Sequence, residues 1–252
     1  MSDVLILLPP SEGKSASKRG RPMDLTKLSF PSLTPTREKI LSALIDTSAR
    51  PDALSLLKLG PSLADELARN LRLEENPALP VAELYSGVLY DALDLDSLDS
   101  AARRRATRWV VVASALYGAL RLTDRVAPYR LSIGGSLPGL PKLARVWREP
   151  LQNALAPVAT RGVVVDCRSA VYQAAWPVDA ELADRWVQVR VPGASHHAKY
   201  ARGLVARAIC ECGIDAEAPA DLATHLSGHF DLWLTAPTRS RAPWLLDVHR
   251  PS

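Results

Sequence analysis

Residues 4–8, Val-Leu-Ile-Leu-Leu, run directly into Pro9-Pro10-Ser11-Glu12-Gly13-Lys14. The apolar run reads as a buried β-strand, and the proline pair fixes a sharp turn at its end. That turn carries a hydroxyl, a carboxylate and an ammonium group. In open α/β sheets ligands bind in crevices at the carboxyl ends of strands. The opening therefore predicts an α/β fold with polar chemistry at one sheet edge.

The rest of the chain extends this pattern. Buried strands are expected at Trp109 to Ser114, Val163 to Cys167 and Trp186 to Val191, and further strands around Phe230–Leu234 and Trp244–Val248. Helices are expected from Pro35 to Thr47, from Leu98 to Thr107, from Pro141 to Ala156 with Trp147 inward, and from His196 to Cys212. Tyr85 to Leu95 reads as a turn entering a helix, and Tyr117 to Leu131 as loop with short elements. Strands alternating with helices indicate α/β, here a single domain over residues 1–252 with a mixed central sheet flanked by helices. The 20 prolines spread over loops and mark no linker.

Composition excludes several classes. The 252 residues are 47% hydrophobic and 23% charged, as in a soluble globular protein. No apolar run approaches the roughly 20 residues of a membrane span, and the start has no secretory pattern, so a cytoplasmic location is expected. Cys167, Cys210 and Cys212 make no disulfide framework and read as small reduced core residues. A net charge of +4 permits nucleic acid as a partner without requiring it. No Cys, His or carboxylate group has metal-ligand spacing, so no metal or cofactor is expected.

Three constellations could hold an anion. Gly13-Lys14-Ser15 is no P-loop, because Leu8 stands where the first glycine belongs and Pro9 and Pro10 have no N–H to offer a phosphate. Ser11 and Lys14 are nonetheless candidate ligand contacts. In Ser195-His196-His197-Ala198-Lys199-Tyr200-Ala201-Arg202, helical spacing sets His196, Lys199, Arg202 and Arg207 opposite an apolar face. Cations near a helix start, where free N–H groups already point outward, suit a phosphate or carboxylate. Leu59-Gly60-Pro61-Ser62 between two short amphipathic segments (about 52–70) resembles a helix-hairpin-helix that grips phosphates without reading bases; an ordinary helical corner is the alternative. Asp166 ends a strand where functional carboxylates occur, or it caps the next helix. Tyr129-Arg130 pairs a stacking aromatic with a guanidinium, and Arg103-Arg104-Arg105 with Arg108 reads as helix C-terminal cations.

Taken in order, Pro9–Lys14, Tyr85-Ser86-Gly87-Val88-Leu89-Tyr90, Leu116-Tyr117-Gly118-Ala119-Leu120-Arg121, Pro128-Tyr129-Arg130-Leu131 and Ala198–Gly203 resemble the YaaA family of peroxide-stress proteins. The resemblance implies a cytosolic α/β protein with a basic cleft and a helix-hairpin-helix-like element. It also implies binding to duplex or distorted DNA and protection during hydrogen-peroxide stress. Two functions are therefore expected. One is DNA binding without base specificity through Lys14, Gly60, Ser62, Arg121, Tyr129, Arg130, His196, Lys199 and Arg202. The other is an enzyme acting on a nucleotide or nucleobase, with Ser11, Lys14, Asp166 and Tyr129 lining a strand-end pocket.

Overall fold

The computed structural model describes residues 4–159, 161–193, 195–214 and 216–249; the side chains of Ser195 and His196 also lie outside the described set. Strand β1 (Leu5–Leu8) is followed by helices α1 (Thr34–Ser48), α2 (Ala53–Leu56) and α3 (Ala64–Asn70). Then come β2 (Leu79–Pro80), α4 (Val81–Leu84), α5 (Val88–Leu93), α6 (Ser100–Trp109), β3 (Val110–Ser114), β4 (Gly118–Arg121) and β5 (Arg125–Val126). The second half comprises α7 (Leu143–Leu155), β6 (Val164–Asp166), α8 (Ala170–Gln173), β7 (Trp186–Arg190), α9 (Ser195–Cys212), α10 (Pro219–Leu226), β8 (Asp231–Thr235) and β9 (Trp244–His249).

Among the described residues, seven strands form one mixed sheet in the order β4-β3-β1-β6-β7-β9-β8. Strands β3, β1, β6, β7 and β9 run parallel, and β4 and β8 close the two sides antiparallel. The fold is a single mixed α/β domain, as the alternation of strands and helices predicts. Every residue of β1 is buried, because helices cover both faces of a parallel sheet. From β1 the chain builds outward to β3 and β4, then returns to add β6 on the other side of β1. This reversal makes the carboxyl ends of β3, β1 and β6 a topological switch point, where the crevice of such a sheet opens.

The expected strands are all present. The sequence pattern does not disclose β4, which lies within the stretch read as loop. It is only four residues long and begins at Gly118, whose φ of +76° and contact with the Trp147 ring leave no room for a side chain. Arg37 of α1 secures this strand from inside the protein. Its guanidinium donates to the carbonyls of Tyr117 (3.0 Å), Ala119 (2.9 Å) and Ser29 (2.8 Å). Burial lowers the Arg37 pKa to about 10, against the opposing charge of Asp124.

One cysteine departs from expectation. Cys167 and Cys210 are buried, but Cys212 is exposed at the end of α9, with its sulfur 3.2 Å from His229 Nε2. The helix ends there, so the apolar face that buries Ile209 no longer reaches the core.

Candidate functional site

The turn after β1 is held by the segment that precedes α5. Ser15 N donates to the Leu84 carbonyl at 2.8 Å, Ser86 N to the Gly13 carbonyl at 3.4 Å, and Lys14 pairs with Tyr85 as an antiparallel bridge. The Ser11 hydroxyl donates to the Ser86 carbonyl. Gly87, with φ +101°, passes beside that hydroxyl. That left-handed backbone conformation is one a side chain would strain, which explains the glycine.

Aromatic side chains line the space this creates. The Tyr90 hydroxyl donates to the Pro9 carbonyl at 2.8 Å, and its ring stacks on Tyr85 at 5.4 Å. The hydroxyls of Tyr85 and Tyr129 lie 3.2 Å apart, and that of Tyr129 lies 2.8 Å from Ser114 Oγ at the end of β3. Burial pushes the phenol pKa values of Tyr85, Tyr90 and Tyr129 well above the usual range, so these hydroxyls stay protonated and serve as hydrogen-bonding groups.

Lys14 faces this wall. Its Nζ donates to the Ser11 carbonyl at 2.8 Å and lies 4.4 Å from the centroid of the Tyr129 ring and 5.6 Å from that of Tyr85. Two carboxylates are close, but Arg130 takes both: its guanidinium is 3.0 Å from Glu12 Oε2 and 3.2 Å from Glu66 Oε2. Among the described residues no carboxylate forms an ion pair with Lys14. Burial lowers its pKa to about 8, only partly opposed by the charge of Glu12. Lys14, Glu66, Arg69, Pro128 and Tyr129 enclose a cavity of about 40 Å³.

The structure thus brings together Ser11, Lys14, Tyr129 and Arg130, although the first two are separated from the others by more than a hundred residues in sequence. Helix α3 completes the group. Glu66 and Arg69 line the cavity, and Asn70 fixes Arg130 by accepting from its N–H (2.8 Å) and donating to its carbonyl (2.9 Å). Glu66, Arg69 and Asn70 fall within the segment of about residues 52–70 that the sequence marks as a possible phosphate grip, but their individual places, like that of Ser114, are set only by the tertiary fold.

Other candidates do not line this cavity. Asp166 is buried in a bidentate ion pair with Arg168, at 2.9 Å through each oxygen, and Trp186 Nε1 stands 3.3 Å from one of them. It is absent from the cavity lining. Arg121 pairs with Val111 near the amino end of β3, so it sits at the opposite edge of the sheet, with its guanidinium 5.4 Å from the Phe30 ring. Gly60 and Ser62 are exposed around the 3-10 turn Pro61–Leu63, between α2 and α3. Gly60 has φ −74°, a conformation open to other residues. Lys199 is exposed on α9. Arg202 is nearer the carboxyl edge: its carbonyl is 3.9 Å from the sulfur of Cys167, and its buried Nε has no hydrogen-bond partner among the described residues. Arg207 turns away to hold the Leu93 and Asp94 carbonyls at the end of α5. The side chain of His196 is outside the described residues.

Comparison with known proteins resolves the family. The sequence profile described as "Peroxide stress protein YaaA" matches residues 4–231. This chain belongs to the YaaA family. It is 44% identical to a UPF0246 protein of Streptomyces coelicolor, over 97% of this chain and 98% of that one. It is 37% identical to UPF0246 proteins of Corynebacterium efficiens and Corynebacterium glutamicum, in each case over 87% of this chain and 90% of the relative. Three of the motifs read from the sequence as YaaA-like, those around Lys14, Tyr85 and Tyr129, are in this member of the family the segments that build the Lys14 cavity and its aromatic wall. Among the described residues no helix is long and apolar enough to cross a membrane, and no group of three or more His, Cys, Asp or Glu could hold a metal ion.

Proposed function

We propose that this chain acts in the response to peroxide by binding DNA at the carboxyl edge of the sheet, through the phosphate backbone and without reading bases. Family membership supplies the peroxide-stress context. The observation that carries the reading is the mismatch between the cavity and a nucleotide. At about 40 Å³ it takes one small group, whereas small-molecule pockets usually span about 300–1,000 Å³. Among the described residues, clefts of about 290 and 310 Å³ include none of Ser11, Lys14, Asp166 or Tyr129. Arg69 and Lys199, by contrast, are exposed and make no ion pair among the described residues, as expected of cations free to neutralise phosphates. Arg130 contributes less charge than its sequence context suggests, because Glu12 and Glu66 already neutralise it.

Fluorescence anisotropy with duplexes of unrelated sequence tests the reading. The logarithm of affinity should fall linearly with the logarithm of salt, by about 0.9 per phosphate neutralised, and should be the same for each sequence. A salt-independent affinity would refute it. Strong nucleotide binding in a thermal-shift screen would favour the enzyme reading instead.

A further inference from the structure

We propose that Lys14 is a nucleophilic amine that forms an imine with an aldehyde carbonyl seated in the cavity against Tyr129. The geometry carries this. A lysine nucleophile needs a desolvated nitrogen, no carboxylate holding it as ammonium, and room for one carbonyl group beside it. Among the described residues, the close contacts of Lys14 Nζ are backbone carbonyls and aromatic faces. Arg130 occupies both nearby carboxylates, Glu12 and Glu66. The cavity accepts a group of a few atoms and excludes a nucleobase.

The charged groups facing Lys14 act in both directions: Glu12 and Glu66 favour the ammonium and Arg130 the neutral amine, and burial outweighs all three. Arg69, on the cavity wall, could hold a phosphate flanking the carbonyl. The folded pKa of about 8 leaves a usable fraction of free amine near neutrality.

The step balances without a redox partner. The nitrogen lone pair attacks the carbonyl carbon, and the C=O electron pair moves to oxygen. The nitrogen gives up two protons and the oxygen leaves with both as water, so that amine plus aldehyde yields imine plus water. Two sources present this chemistry: the ring-opened sugar of an abasic site in DNA, and a free small aldehyde. The first rests on the DNA-binding reading and the second does not.

The test uses the full chain with a duplex carrying one abasic site, with the intact duplex, and with glycolaldehyde, each reduced by sodium cyanoborohydride and analysed by peptide mapping. The expected result is a stable secondary amine at Lys14 with at least one aldehyde and none with the intact duplex. The adduct should be lost in Lys14→Arg and Lys14→Met and kept in Lys39→Arg. The yield should rise with pH through about 8. Thermal melts establish that the variants fold, and mapping of the unsubstituted protein decides the matter even if they do not. No adduct with either aldehyde, or adducts scattered over surface lysines, overturns the proposal. Anisotropy with the intact duplex runs in parallel. Binding without an adduct refutes only the imine, while a glycolaldehyde adduct without DNA binding refutes only the DNA reading.

Discussion

The Lys14 ammonium stands 4.4 Å over the ring of Tyr129, although the two lie in segments far apart in sequence. The aromatic face favours the cation, by about 0.5–2 kcal/mol in such contacts. Burial outweighs it, since the net pKa is lowered from 10.5 to about 8. The lysine is held where its charge is costly, which distinguishes it from a surface cation.

That cost has a pH signature. Between about pH 8 and 10.5 the unfolded chain holds the Lys14 proton and the folded chain does not, so this group's contribution to stability rises with pH across that window. Below pH 8 the full penalty applies. Lys14→Met should therefore stabilise the protein by about 1–2 kcal/mol near neutrality, with the gain fading towards pH 10.5. Urea denaturation at the two pH values checks this; a Met variant less stable than the parent at neutral pH would show that the lysine is favourably placed.

The buried pair of Asp166 and Arg168 is structural in this geometry. Asp166→Ala leaves a guanidinium buried without its carboxylate and should cost about 3–5 kcal/mol. Removing both charges, as in Asp166→Leu with Arg168→Met, should cost less than the single change. Equilibrium unfolding of the two variants compares them directly.

Gly203 permits α9 to lie against α5. A Cβ there would collide with the Leu89 carbonyl and come within 2.8 Å of Ala92 Cβ. Gly203→Ala should destabilise by about 1–3 kcal/mol or more as the helices separate. Because Tyr90 of α5 holds Pro9, the same change should also disturb the Lys14 turn, measurable as a changed Lys14 pKa by NMR titration of the side chain.

If phosphates bind at the carboxyl edge, Arg69→Ala and Lys199→Ala should each weaken binding equally for every duplex and reduce the salt slope by about 0.9. Arg121→Ala, at the opposite edge, should leave the slope unchanged. Anisotropy titrations across a salt series distinguish the three.

The cysteines should separate by reactivity. Burial raises the thiol pKa values of Cys167 and Cys210 to about 12, so the native protein should resist alkylation at both. Exposed Cys212 should label first. Mass spectrometry after brief iodoacetamide treatment, with and without denaturant, reads the order; early labelling of Cys167 would contradict its packing.

Much of this organisation is legible along the chain because it depends on local pattern. The apolar run before Pro9, the β-branched stretches at Val110 and Val163, and the helical spacing of α9 each need only near neighbours to be recognised. Ser11 and Lys14 stand out for the same reason, as polar residues at the end of a buried strand. Strand β4 does not, because four residues starting at a glycine carry too little periodicity, and what holds it, its pairing with β3 and a buried arginine on a distant helix, is brought to it only by the fold.

The amino-acid order by itself determined the alternation of elements, the family motifs and the edge of the sheet that carries polar side chains. Only the tertiary structure decided that Arg130 would absorb Glu12 and Glu66, that Asp166 would be paired by Arg168, and that Arg121 would fall at the far edge. Those outcomes depend on strand order and on which carboxylate a guanidinium reaches first. Charge pairing acts through space, and nothing in local sequence fixes distances between segments that meet only after the chain has folded.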